Sequence, residues 1–175
     1  MAVLHLQFRG VLQSWGVRDE WMAKRRTASS PTESAVLGLI ECALGIDRND
    51  EERRTALRSK IRIIPHSGGV KRKLVDEQTI SIADYEREGI ELNGFPSARG
   101  GIKRDKTGRP VWNETFTKQY VEDCVSDPLK ADVEGDDDTI ARIQNALLHP
   151  VYPYYLGRYC CTPCGSVIMP NAEAE

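Results

Sequence analysis

The feature that most constrains this chain is a long stretch, Pro65 to Arg109, in which apolar periodicity fades. Glycines accumulate there (Gly68, Gly69, Gly89, Gly94, Gly100, Gly101, Gly108), together with Lys71, Arg72, Lys73, Arg99, Lys103, Arg104, Lys106 and Arg109. Irregular segments of this length are uncommon inside compact domains and are usually functional or disordered. The core must then come from the sequence on either side. The stretch itself is expected to project as a loop or hairpin, an insertion bounded at roughly 68–112.

The flanks carry the periodicity that the insertion lacks. Val3, His5 and Gln7 alternate with Leu4, Leu6 and Phe8, the pattern of a half-buried strand that Gly10 ends. Pro31-Thr32-Glu33-Ser34 opens a helix, with Thr32 or Ser30 as cap and Glu33 in the first turn, where negative charge is favoured. Val36, Leu37, Leu39, Ile40, Ala43 and Leu44 give it a broad apolar face, and Gly45 is a natural stop. A polar helix follows over Asp50 to Lys60, then a short strand over Lys60 to Ile64. Beyond the insertion the pattern predicts a strand over Thr115–Val125 and an acidic, exposed turn over Asp132–Asp138. A helix follows over Thr139–Leu148, ended by Pro150, and then an aromatic loop over Tyr152–Tyr159. Strand, helix, strand, insertion, strand, helix, loop suits an α+β ferredoxin-like sheet with a long insertion.

With 175 residues, 40% of them apolar, the chain can bury a single sizeable core, so one domain over 1–175 is expected. The formal net charge of -2 gives no hint of nucleic acid, so any basic surface must come from uneven distribution. No apolar run approaches the roughly 18 residues of a membrane span, and the N-terminus does not read as a secretory signal. The cysteines are Cys42, Cys124, Cys160, Cys161 and Cys164, an odd number without secretory context, which reads as free thiols in a cytoplasmic protein. Cys161-x-x-Cys164 beside Cys160 is one pair where a structural zinc site needs four ligands, so no metal and no cofactor are expected.

Three blocks, in order, resemble the CasD family of CRISPR-associated proteins, within the RAMP superfamily. Leu12-Gln13-Ser14-Trp15-Gly16 is similar to the family's L-Q-S/A-W-G after the first strand. Pro31 to Ile40, with Ala43-Leu44-Gly45 behind it, resembles P-T-x-S-x-(V/L)-x-G-L-L…A-L-G. Tyr155-Leu156-Gly157-Arg158 followed by Cys161, and preceded by Ala146-Leu147 and Pro150, resembles A-L…P…Y-L-G-R-R-S-C. Lys73 to Thr79 and Thr117 to Cys124 give weaker matches. The chain departs from the pattern at Gln78 (often histidine), at Lys118 and Gln119 (often arginines), at Tyr159-Cys160 (usually Arg-Ser), and in stopping soon after the third block.

The resemblance implies a ferredoxin-like (RRM-like) palm with an inserted β-hairpin thumb. It implies a noncatalytic RNA-binding subunit of a type I-E-like Cascade that caps the 5′ handle of the crRNA. The CasC backbone subunit and the CasA large subunit are its expected neighbours, with no membrane partner. The RNA-binding residues expected on this basis are Gln13, Ser14, Trp15, Arg25, Arg26, Thr32, Ser34, Arg99, Lys103, Arg104, Arg109 and Arg158. The chemistry fits: basic side chains neutralise phosphates, a helix N-terminus near Thr32 seats one, and Trp15 could stack on an unpaired base. Each has a plainer reading: Trp15 as core, the basic residues as a solvated surface, Thr32 as a cap, Arg158 in an ion pair. The alternative function is a metal-independent endoribonuclease processing precursor crRNA, as in type I-C relatives, for which His66, Tyr85 and Lys103 are the imaginable acid–base set. A further possibility is a subunit that keeps protein contacts and has lost its grip on RNA.

Overall fold

The computed structural model describes residues 1–17, 24–68, 72–82, 94–97, 100–123 and 126–170. The alternation at the N-terminus produces strand β1 (Ala2–Phe8), with Leu4, Leu6 and Phe8 buried and Val3 turned outward. Its partner is β7 (Leu129–Gly135), antiparallel, in a register that sets Leu4 opposite Val133, Leu6 opposite Ala131 and Phe8 opposite Leu129. All of these are buried, so one face of the pair is continuous core. Strand β4 (Ile61–His66) lines the other edge of β7, again antiparallel, with Ile63 opposite Val133. Pro65 is tolerated because, among the described residues, β4 pairs with β7 alone, so the missing N–H breaks no second ladder.

Three helices lie against the apolar face. Helix α1 (Glu33–Ala43) presents Val36, Leu37, Leu39, Ile40 and Ala43, and Gly45 at φ 65 ends its last turn. Helix α2 (Glu51–Arg58) is capped by Asp50, whose side chain accepts from the Arg53 N–H. It is tied to α1 by Arg54, which reaches the buried Glu41 at 3.2 Å. Helix α3 (Asp137–Leu148) starts at Asp136, whose carboxylate accepts from the Thr139 N–H and hydroxyl, and buries Ile140, Ile143, Ala146 and Leu147. At the far edge of β1, residues 167–169 run alongside: the Gln7 N–H donates to the Val167 carbonyl at 2.8 Å and the Met169 N–H to the His5 carbonyl at 3.0 Å. The spatial order is therefore 167–169, β1, β7, β4, every neighbour antiparallel.

One expectation needs correction. The acidic turn expected over Asp132–Asp138 is mostly strand, the central one of its sheet. Its buried positions are Leu129, Ala131, Val133 and Gly135, and half of these are too small to register as hydrophobic alternation. The turn proper is confined to the junction at Asp136. Within the stretch from Pro65 to Arg109 the described residues include regular strand. It holds the last residues of β4 and all of β5 (Lys73–Ser81), which pairs antiparallel with β6 (Asn113–Glu122) from Lys73 opposite Val121 to Ser81 opposite Asn113.

Strand β6 is shared. Its other edge takes β2 (Leu12–Gln13) at Val121–Glu122 and β3 (Lys24–Arg25) at Thr117–Lys118. Tyr120 and Val121 sink into the core, joining this second sheet to the first. Residues 94–97 and 100–111 pair with one another beyond β5 and β6. The Phe95 N–H donates to the Val111 carbonyl, Lys103 N–H to Phe95, and Val111 N–H to Lys103. Among the described residues no helix is long and apolar enough to cross a membrane.

Candidate functional site

The first and third sequence blocks, some 140 residues apart in the chain, meet side by side. The Ser14 N–H donates to the Leu156 carbonyl at 2.9 Å. Gly157, at φ 98, lies so close that a Cβ there would sit 1.7 Å from the Ser14 carbonyl oxygen. Gly10 has the same role one step away, since a Cβ on it would come within 2.7 Å of the Thr162 carbonyl oxygen. Residues 25–28 close the third side: the Ala28 N–H donates to the Trp15 carbonyl at 2.7 Å, and the Trp15 N–H to the Thr27 hydroxyl at 2.8 Å.

Gln13, Ser14 and Trp15 are the pillar of this junction and are buried, at 1%, 3% and 0% exposure. The Gln13 amide donates to the Phe8 carbonyl and accepts from the Trp15 indole N–H at 3.1 Å. Trp15 meets the Phe8 ring edge-on, centroids 4.9 Å apart. The expectation that Trp15 stacks on a base therefore does not match its position: no face of the indole reaches solvent. The plainer core reading describes it.

The polar groups around the pillar are less completely satisfied. Arg158 lies over the Tyr120 ring at 4.8 Å and donates through one Nη to the Arg25 carbonyl at 3.1 Å, while its other terminal nitrogen, Nη1, is buried without a hydrogen-bond partner. Burial pushes the Tyr120 hydroxyl above its ordinary pKa, against the lowering effect of the neighbouring Arg158 cation. Thr32 stands at the N-cap position as expected, and its carbonyl accepts from the Ala35 and Val36 N–H groups. Its hydroxyl, however, makes no capping bond and is likewise buried without a partner, whereas Asp50 and Asp136 both cap. Ser34, Arg25 and Arg26 are exposed nearby in sequence. The first-turn N–H groups of α1 and the exposed Ser34 hydroxyl can donate, so this helix end suits an anionic oxygen.

A second basic group lies elsewhere. Lys103 is paired with Glu114 near the start of β6, and Arg104 donates to the Gly108 carbonyl at 2.8 Å. Arg109 and Lys106 flank a turn organised by Asp105, whose carboxylate accepts from the Thr107 hydroxyl and from the Thr107 and Arg109 N–H groups. The Thr107 hydroxyl, followed by the Arg109 N–H, holds that carboxyl below its usual range. Arg158, by contrast, lies over Tyr120, near the other end of β6. From Glu114 to Tyr120 a strand runs about 20 Å, so the structure does not bring the two basic groups together. Arg99 lies outside the described residues.

Of the imagined acid–base set, the two described members, His66 and Lys103, are engaged by different partners. His66 Nε2 is 2.8 Å from one oxygen of Asp132, and His5 Nδ1 is 2.7 Å from the other, on the face of the sheet turned away from the helices. Burial raises the Asp132 carboxyl, and the hydrogen bonds from His5 and His66 more than offset that, so it rests below its ordinary value. Lys103 is engaged by Glu114 instead, and Tyr85 lies outside the described residues. The sequence pattern conceals this three-strand cluster because it sets the acid in a turn. The alternation that turns His5 outward is the available signal. Cys161 is buried and its thiol pushed up to about 11, chiefly by that burial. Cys42, Cys160 and Cys164 are free thiols, and Cys124 lies outside the described residues. Among the described residues no group of three or more His, Cys, Asp or Glu is placed to hold a metal ion.

A curated relative, the CRISPR system Cascade subunit CasD of Escherichia coli (strain K12), is 27% identical over 172 residues, covering 98% of this chain and 72% of the relative. Among solved structures, a chain of a CRISPR RNA-guided surveillance complex superposes with a TM-score of 0.66 at 23% identity, over 95% of this chain and 62% of its own. A crystal structure of a Cas protein gives 0.56 at 23% identity, over 99% and 66%. This chain thus spans about two thirds of the length of the solved chains it matches. The family model described as CRISPR-associated protein (Cas_Cas5) matches residues 3–175, which is nearly the whole sequence, and the chain belongs to that family.

Proposed function

We propose that this chain is a noncatalytic RNA-binding subunit of a type I Cascade complex, holding the 5′ handle of the crRNA beside the CasC backbone and the CasA large subunit in the cytoplasm. The observation that carries the reading is the meeting of the first and third blocks, where Arg158 donates to the carbonyl of the exposed Arg25 and so gathers two cationic side chains at one junction. A phosphate can be neutralised by the exposed Arg25, and the N-terminus of α1, with Ser34 exposed in its first turn, favours its charge. The relatives named for Cascade and for a surveillance complex support the assembly.

The finer architecture of the reading is a ferredoxin-like (RRM-like) palm over a single domain, 1–175, with the insertion at 68–112 as a β-hairpin thumb. The sheet order 167–169, β1, β7, β4, with α1 and α3 as its crossovers, supports the palm. The long pairing of β5 with β6 supports a hairpin, whose second strand extends past 112. In this reading Arg25, Arg26, Thr32, Ser34 and Arg158 hold the RNA at the junction. Lys103, Arg104, Arg109 and Arg99 add phosphate contacts on the thumb. Gln13, Ser14 and Trp15 support the junction from beneath.

The test is binding of the purified chain, and of the reconstituted complex, to a short RNA carrying the 5′ handle, with a scrambled RNA beside it, at low and high salt. Handle-selective, salt-sensitive binding without cleavage is expected. Arg158→Gln should weaken it by roughly ten-fold, the usual scale for one charge-assisted contact. RNA cleavage would replace the noncatalytic reading with the endoribonuclease one. Absence of binding in both chain and complex would remove RNA from the account.

A further inference from the structure

We infer that Tyr159 is the platform on which one unpaired base of the bound RNA stacks, a role that the buried Trp15 cannot fill; the inference rests on the RNA reading above. Tyr159 is 82% exposed, far more than any other exposed aromatic among the described residues. An isolated exposed tyrosine is ordinary, but this one is held in place. The loop carrying it is closed by the Leu156 N–H donating to the Cys161 carbonyl at 2.7 Å and the Cys161 N–H to the Arg158 carbonyl at 2.8 Å. The turn begins at Gly157, pressed against Ser14.

One side of the ring rests on Tyr155, centroids 4.8 Å apart with the planes inclined by 47°. With that side supported and most of the ring in water, Tyr159 presents an aromatic face that needs little ordering on contact. Sequence-tolerant binding of single strands uses such faces beside cationic groups that track the backbone. The cationic groups are present: Arg158 is the preceding residue and bonds the Arg25 carbonyl, which brings the exposed Arg25 to the foot of the same loop. A nucleotide whose phosphate meets Arg158 or Arg25 has a base within reach of the ring. An unpaired nucleobase is the ligand that satisfies both.

The experiment uses the full chain and the handle RNA carrying 2-aminopurine at one position at a time. With wild-type protein, one position should show strong fluorescence quenching on binding. Tyr159→Ala should abolish that quenching and weaken binding by roughly ten-fold, while Tyr159→Phe should keep both. An abasic site at the quenched position should weaken wild type and leave Tyr159→Ala unchanged, because the ring is already gone. Binding and quenching by Tyr159→Ala equal to wild type would overturn the stacking role while leaving the RNA reading intact. A wild-type protein that binds no RNA would remove both. If Tyr159→Ala binds RNA normally but no longer assembles with CasC, the ring belongs to a protein interface and the inference fails.

Discussion

Asp132 has an imidazole on each side, His5 from β1 and His66 from β4, so one carboxylate links three strands. Its side chain is 25% exposed, so the contacts are only partly screened. The folded protein holds the Asp132 carboxyl below its ordinary value. A depressed acid contributes stability above its unfolded pKa, near 3.9, and that contribution disappears as pH falls through the folded value. Asp132→Asn keeps the shape but can accept from only one imidazole through oxygen, and should cost about 1–3 kcal/mol at pH 7. Urea unfolding of both proteins across a pH series should show the gap shrinking below about pH 4. A gap that stays constant down to acid would mean that Asp132 acts through packing alone.

At the scale of elements, the decisive contact joins the loop after Leu156 to the segment after β1. Gly157 is required there for two separate reasons, its φ of 98 and the 1.7 Å that would separate a Cβ from the Ser14 carbonyl. Gly157→Ala must push the loop off Ser14, so it should destabilise by at least about 2 kcal/mol and misplace Arg158. A thermal melt measures the first effect and handle binding the second. Unchanged melting would show that the loop can move without cost. The sequence pattern exposes the elements that depend on local signals: β1 by strict alternation, α1 by its apolar face and Gly45. It hides β7, where Ala131 and Gly135 do the inward packing, because a central strand covered by helices can use residues too small to look hydrophobic. The site is legible as three blocks but not as a junction, since nothing in the order of residues says that Ser14 meets Leu156 or that Gln13 and Phe8 enclose Trp15. Thr32 is legible as a position and not as a bond, because the N-cap role is set by backbone geometry and its hydroxyl is free to turn elsewhere.

Across the whole molecule, the net charge of -2 conceals basic groups at opposite ends of β6, the junction around Arg158 and the turn around Asp105. Separated by about 20 Å along the strand, they lie beyond a Debye length at physiological salt, so they act on a polyanion as independent sites. Independence has a measurable form. Arg104→Gln with Arg109→Gln should lower the slope of log affinity against log salt by about 0.7 for each single-strand phosphate that the variant no longer neutralises. Combined with Arg158→Gln, the free-energy penalties should add to within about 0.5 kcal/mol. The stacking surface of Tyr159 carries no charge, so its removal should lower affinity at every salt concentration and leave the slope alone. Strong non-additivity between the two basic groups would mean that the insertion bends toward the junction when RNA binds, and that the two ends of β6 form one surface in the complex.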